Sequence, residues 1–476
     1  MSRLREKERS AILSSLRAGV VPRVGQHHIQ VGRQGEIEAL IQDIETIADG
    51  GGSVRFIIGQ YGSGKTFFLN LIRAIAMEKK LVTVSADLSP DRRLHATGGQ
   101  ARSLYSELMR NLATRAKPEG GAVASVTERF VSSALQRAKA TGISPESAIR
   151  EGLDSLTELT GGYAFSEVVE AYWHGHDRDD VALKQAAVRW LRGEYQTRTD
   201  ARRDLGVRGI IDDENFYDSL KLMARFTRLA GFEGLMVTLD EMVNLYKLSS
   251  TQARRSNYEQ ILRMVNDALQ GNAVGLGFLF GGTPEFLMSE RRGLYSYEAL
   301  HGRLAENRFA AEGLRDLSGP VIHLTNLQPE DLYVLLKKIR SVYAGDAADP
   351  VEMLPDEGIQ AFLHHCHAKV GSAYFKTPRN AIREFVHLLS VIEQNPGVNW
   401  GDLVGRVRIE AERPDQIPEQ ADAQGAARAD RDPVREAAQQ GKPAAHPHAH
   451  DNPDRKTVVG DESDGADDDD LEDFRL

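Results

Sequence analysis

Residues 59–67 read Gly59-Gln60-Tyr61-Gly62-Ser63-Gly64-Lys65-Thr66-Phe67, and they follow directly on an apolar run that includes Val54, Phe56, Ile57 and Ile58. The chain continues FLNLI, with apolar residues at helical spacing. The order is strand, glycine-rich loop, Lys-Thr, amphipathic helix, which is the GxxxxGK[ST] phosphate-loop pattern in the context that its chemistry needs. Gly59, Gly62 and Gly64 let the backbone bend so that successive N–H groups face a polyphosphate, and the helix that follows adds the positive end of its dipole. Lys65 is then expected to reach the β and γ phosphates of ATP, and Thr66 to place its hydroxyl on a magnesium ion.

The carboxylates that such a loop requires come later. In GLMVTLDEMVNLY the apolar run Leu235 to Leu239 ends on Asp240 and Glu241, the pattern of a Walker B strand. A carboxylate at the strand end orders the metal shell and the next one polarises the attacking water, so Asp240 is the metal candidate and Glu241 the catalytic one. A further apolar run, Val274 to Phe280, leads to Thr283. In AAA+ ATPases, which this arrangement resembles, a polar residue after that strand senses the γ-phosphate, and Thr283 is the candidate. The other reading makes Gly281, Gly282 and Pro284 a simple turn.

The same resemblance implies three further roles. The turn Val31-Gly32-Arg33, ahead of the helix EIEALIQDIETIA, looks like the lead-in of AAA+ and STAND ATPases that lines the adenine pocket. Arg308, and second to it Arg303, in LHGRLAENRF, stand where an arginine finger reaches a neighbouring subunit's γ-phosphate. A solvated or salt-bridged arginine is the alternative for each. Arg379 follows Thr377 and Pro378 at a helix start, the place of the sensor 2 arginine, and Pro favours a first helical turn.

Composition bounds the rest. The 476 residues carry a net charge of −10, with 41% hydrophobic and 27% charged residues, as in a globular protein of two or three compact domains. The excess charge lies entirely in residues 411–476, which hold 18 acidic and 8 basic side chains; the preceding body has 51 of each. A neutral body lacks a global electrostatic footprint for nucleic acid. No apolar run approaches a membrane span and the N-terminus is charged, so a cytoplasmic protein with no membrane partner is expected. The lone Cys366 excludes an internal disulfide framework. His364, His365 and His367 beside it are nearly consecutive on one helix and point in different directions, unlike spaced metal ligands; His174 and His176 are read the same way.

The spacing divides the chain into an N-terminal helix and lead-in (1–30), a first part of the ATPase core (31–99) and a polar helical insertion (100–230). A second part of the core (231–327), a helical lid (328–405) and an acidic tail with a disordered composition (411–476) follow. The expected fold is a three-layer α/β P-loop NTPase of AAA+ type with a mostly parallel five-stranded sheet. The tail ends DGADDDDLEDFRL, which reads either as a peptide hook built on Leu471, Phe474 and Leu476 or as a solubilising segment.

The segments RAGVVPRVGQHHIQVGR, GQYGSGKTFFL, SADLSPDRRL and TPRNAIREF together resemble the BREX-associated ATP-binding protein family, the BrxD-like P-loop proteins of bacterial phage-defence loci. The resemblance spans residues 1 to about 405. It implies a magnesium-dependent ATPase that works with other defence proteins such as a helicase, as a homo-oligomer, on or near DNA. The sequence departs from origin-recognition relatives in having only the tail after the lid, with no room for a winged-helix domain. A DNA contact is therefore expected through a partner or from the insertion, where Arg198, Arg202, Arg203 and Arg208 cluster among Asp200, Asp204, Asp212 and Asp213; such a mixture is otherwise a solvated face. The competing reading is a slowly hydrolysing switch or scaffold that recruits partners. ATP is favoured over GTP because no NKxD-type base reader is present.

Overall fold

A computed structural model describes residues 4–305, 307, 316–345, 349–370 and 378–406. Five strands form one sheet: β1 (Gly52–Gly59), β2 (Val82–Asp87), β3 (Leu235–Asp240), β4 (Leu276–Gly282) and β5 (Val321–Leu324). Their order is β2-β3-β4-β1-β5 and every pairing is parallel. The sheet is therefore wholly rather than mostly parallel. β4 lies between β1 and β3, so the strand that feeds the glycine loop and the strand that ends in Asp240 are not neighbours.

A parallel sheet must be covered on both faces, and the alternation along each strand shows how this is met. Val54, Phe56 and Ile58 join Val237, Leu239, Phe278 and Phe280 in one core, beneath helices from the segment between β2 and β3 and from the β3–β4 crossover. Ile57, Met236, Leu279 and Ile322 face the other way, against Leu40 and Ile44 of α1, the helix Gln34–Ala48, and Phe68 and Ile72 of α2, the helix Lys65–Glu78. On that second face Arg55 of β1 makes a two-pronged ion pair with Asp43 of α1, at 2.6 and 3.0 Å, which ties helix to sheet.

Strand limits differ from the hydrophobic runs by a residue or two. Val274 and Gly275 precede β4 because Gly275 has φ +63°, outside extended geometry, while Gly281 and Gly282 belong to the strand. The turn reading of those glycines is thereby corrected. Thr283 begins a short helix, Pro284–Met288, and its Oγ1 accepts the Phe286 N–H at 3.4 Å.

Seven helices occupy residues 100–229, between β2 and β3. They share the first core: Phe165, Trp190, Tyr217 and Phe226 pack into the same cluster as Phe278. Asp213, late in this segment, accepts the N–H groups of Gly99 and Arg102 at 2.6 and 2.9 Å and so caps the helix Gln100–Arg110.

After β5 come helices Pro329–Ala344, Asp356–Val370, Pro378–Gln394 and Trp400–Val404, built around Leu336, Phe362 and Phe385. The N-terminal helix Glu6–Arg17 packs into this group through Ile12, Leu13 and Leu16. Arg9 fastens it by donating Nε to the carbonyls of Val342 and Tyr343 at 3.1 and 3.2 Å. Among the described residues no helix is long and apolar enough to cross a membrane.

Candidate functional site

The C-terminal ends of all five strands point the same way, and in open parallel sheets ligands bind outside that edge. The loop from Gly59 to Gly64 lies there, with Gly62 and Gly64 both at φ +81°, in the left-handed region that glycine adopts without strain. Gly64 is the residue that opens α2. Lys65 folds over the loop, its Nζ donating to the carbonyls of Gly59 and Gln60 at 2.7 and 3.0 Å.

Thr66, in the first turn of α2, donates its hydroxyl to Asp240 Oδ2 at 2.7 Å across 174 residues of chain. Asp240 is buried and in register with Asp87 at the end of β2. Its Oδ1 accepts the Glu241 N–H at 2.9 Å. Glu241 has φ +55°, a left-handed conformation that costs a non-glycine residue about 1 kcal/mol or more. The strand thus breaks sharply at the point where the second carboxylate leaves it. Partial burial, with Asp240 and Asp87 close by, raises the pKa of Glu241, while Lys65 opposes the shift. Burial also lowers the pKa of Lys65, against the pull of Asp240, Glu241 and Glu285.

Asp240 fits only because position 281 lacks a side chain. A Cβ on Gly281 would lie 2.3 Å from Asp240 Oδ1 and 2.8 Å from Leu69 Cδ1. Gly281→Ala is expected to push the carboxylate off Thr66 and to destabilise the fold by about 1–3 kcal/mol, the usual cost of overpacking. Urea unfolding and the magnesium dependence of ATP binding check this; an unchanged magnesium dependence would count against it.

The remaining sequence candidates divide. Val31, Arg33, Tyr61, Gly62, Ser63, Phe67 and Arg379 line one cavity with Gly64, Lys65, Thr66, Asp240 and Glu241. Gly32 sits in the turn beside that wall, where its added Cβ would meet Asp331 at 3.5 Å. Arg33 lies against the phosphate loop: its guanidinium donates to the Ser63 carbonyl, reaches the Thr325 carbonyl at 3.3 Å and lies over the Phe68 ring. Burial lowers its pKa. It braces the loop and links it to the residue that follows β5.

Thr283 caps its own helix and is not part of the cavity wall; Glu285, two residues on and passed over in the sequence, adds its charge to those of Asp240 and Glu241 at Lys65. Arg303 donates to Asn266 Oδ1 at 2.6 Å and to the Ala299 carbonyl at 2.8 Å. Asn266 lies late in the helix Thr251–Leu269, which runs back from the phosphate edge before β4 begins, so Arg303 does not join the site of its own chain. Arg308, Thr377 and residues 411–476 lie outside the described residues.

A family model for the BREX system ATP-binding protein BrxC/D matches residues 4–408. The chain belongs to this family. The match takes in the sheet, the segment between β2 and β3 and the C-terminal helices, and membership implies ATP binding within a phage-defence system. No curated protein matches the chain.

Sequence reading of this family member missed half of the cavity. Leu16, Val20, Val21, Pro22, Ile29 and Gln30 from the N-terminal lead-in line it together with Leu335 and Ile382 of the C-terminal helices. The signal was the run AGVVPRV, apolar but too short and proline-broken for a strand or helix. Elsewhere His176 pairs with Glu128 at 3.2 Å, and among the described residues no group of three or more His, Cys, Asp or Glu could hold a metal ion. In the insertion Arg203 pairs with Asp200 and Asp204 at 3.1 and 3.0 Å, and Arg198 with Asp212 at 4.0 Å, a charge-compensated face.

Proposed function

We propose that this BREX ATP-binding protein is an ATPase of AAA+ type that hydrolyses ATP with magnesium. The observation that carries the reading is the hydrogen bond of Thr66 to Asp240, with Glu241 thrown out of the strand beside it. A hydroxyl and a carboxylate are hard oxygen donors, and magnesium is usually held by one or two such ligands plus substrate phosphates, which agrees with the lack of a larger acidic cluster among the described residues. Thr66 and Asp240 would hold the ion, which would supply neutralisation of the negative charge on the phosphates. Lys65 would leave the loop carbonyls for the phosphates, and Glu241 would orient and deprotonate the attacking water.

We assign the helices after β5 the role of a lid, with Arg379 on the cavity wall as its nucleotide sensor and Thr283 as the γ-phosphate sensor. Arg308 or Arg303 would complete the site of a neighbouring copy in a homo-oligomer. Coupling of lid closure to partners such as a helicase, and through them to DNA, would remodel a defence complex.

The slowly hydrolysing switch is favoured by one observation: Arg303 is engaged by Asn266 and Ala299 of its own chain and must release them to act elsewhere. Turnover of ATP by the purified protein, with and without duplex DNA, separates the two. We expect turnover that rises with protein concentration as copies associate. ATP binding without turnover at any concentration would leave the switch.

A further inference from the structure

Away from the phosphates the cavity wall is mostly apolar, with Val21, Ile29, Leu335 and Ile382 among its side chains. Gln30 stands on that wall as an uncharged amide. Its Nε2 donates within its own turn, to the Val31 carbonyl at 3.1 Å and the Gly32 carbonyl at 2.7 Å. A primary amide has two N–H donors and one carbonyl oxygen, so both donors are spent. Exchanging the amide oxygen and nitrogen would set Oε1 against two carbonyl oxygens, which settles the orientation of the group. The backbone is pinned as well, because the Gln30 carbonyl accepts Lys338 Nζ from the helix Pro329–Ala344. What the side chain has left to offer is one acceptor, Oε1.

We propose that Gln30 is the base-reading residue of the cavity, its Oε1 accepting a hydrogen bond from the exocyclic 6-amino group of adenine. The inference rests on the ATP-binding reading above. An acceptor held in place by its own turn cannot rotate to present a donor, so a 6-oxo purine, guanine or hypoxanthine, would bring oxygen against oxygen. A site built to hydrogen-bond one substituent rejects the analogue that lacks it far better than an apolar pocket discriminates by size. The apolar wall supplies affinity for any purine; Gln30 supplies the choice.

The test is equilibrium binding of ATP and of inosine triphosphate, which replaces the 6-amino donor with an oxo acceptor, to the full-length wild type and to Gln30→Met. We expect wild type to prefer ATP by at least about tenfold, the worth of one well-made hydrogen bond in a desolvated pocket. In Gln30→Met, which keeps the side chain's length, the preference should fall to within about threefold, with ATP bound more weakly and inosine triphosphate bound at least as tightly as by wild type. Gln30→Leu serves the same purpose if the Met variant does not fold. Equal weakening of both nucleotides would reduce Gln30 to a turn-forming residue, and a preference kept in both variants would place the reader elsewhere; either result overturns the proposal. A wild type that binds both equally sinks this inference and leaves the phosphate-loop reading standing. One that binds neither takes both down.

Discussion

Lys65→Ala is expected to bind ATP roughly 100-fold more weakly than wild type, since charge-assisted hydrogen bonds to two phosphates are worth about 3 kcal/mol together. The ammonium lies within hydrogen-bond reach of the Gly59 and Gln60 carbonyls, at the centre of the loop. Burial already lowers its pKa, so the charge is held in a site where water screens it poorly. Removing it takes away the cation that offsets Asp240, Glu241 and Glu285, and Arg33, which donates to the Ser63 and Thr325 carbonyls, does not take its place. Lys65→Arg should not rescue binding, because a planar fork cannot replace a point charge in so tight a loop. Isothermal titration with ATP and magnesium checks this, with thermal melting as the control for folding. A Lys65→Ala protein with wild-type affinity would remove the phosphate loop from the site.

Glu241→Gln should bind ATP as well as wild type and lose about 10²- to 10⁴-fold in turnover, the range that a positioned general base contributes. The amide keeps the shape of the side chain but cannot accept the water's proton. The elevated pKa of Glu241 adds a pH signature. The base works only when ionised, so the acid limb of the wild-type rate profile should sit at a higher pH than an ordinary glutamate would give, with rate falling as pH falls through it. The same shift carries a stability consequence of opposite sense. Burial beside Asp240 and Asp87 disfavours the charged form in the folded state. That penalty is fully present above the raised folded-state pKa and disappears as pH drops below the unfolded value. Glu241→Gln should therefore melt no lower than wild type at neutral pH, and any gain should shrink in acid. Single-turnover kinetics and melting curves across that range read both effects; undiminished turnover would pass the role of base to Asp87 or Glu285.

Much of the site was legible because its chemistry is local. The glycines, Lys65 and Thr66 are contiguous, and the backbone bend and helix dipole that bind phosphate arise within ten residues of each other, whatever surrounds them. Asp240 and Glu241 were legible for a similar reason: an apolar run that ends in two carboxylates describes a buried strand reaching a wet edge. The helical nature of residues 100–229 and of the C-terminal segment likewise followed from spacing alone.

The tertiary structure decided everything that depends on which segments meet. β4 inserts between β1 and β3, and this insertion places Gly281 against Asp240, a contact across 41 positions that no local pattern encodes. Thr283, chosen by position along the chain, turned out to cap its own helix, because two glycines extend the strand and bring Pro284 to a helix start. The lead-in Val20 to Gln30 has no periodicity to read, and it becomes a cavity wall only because the helix before it packs with helices more than 300 residues later. The reason is physical. A phosphate loop satisfies its own hydrogen bonds within one turn of chain, so its residues announce it. A pocket wall is made of apolar side chains that would serve equally in any core, and only the sum of packing across the whole fold selects the cavity that they line.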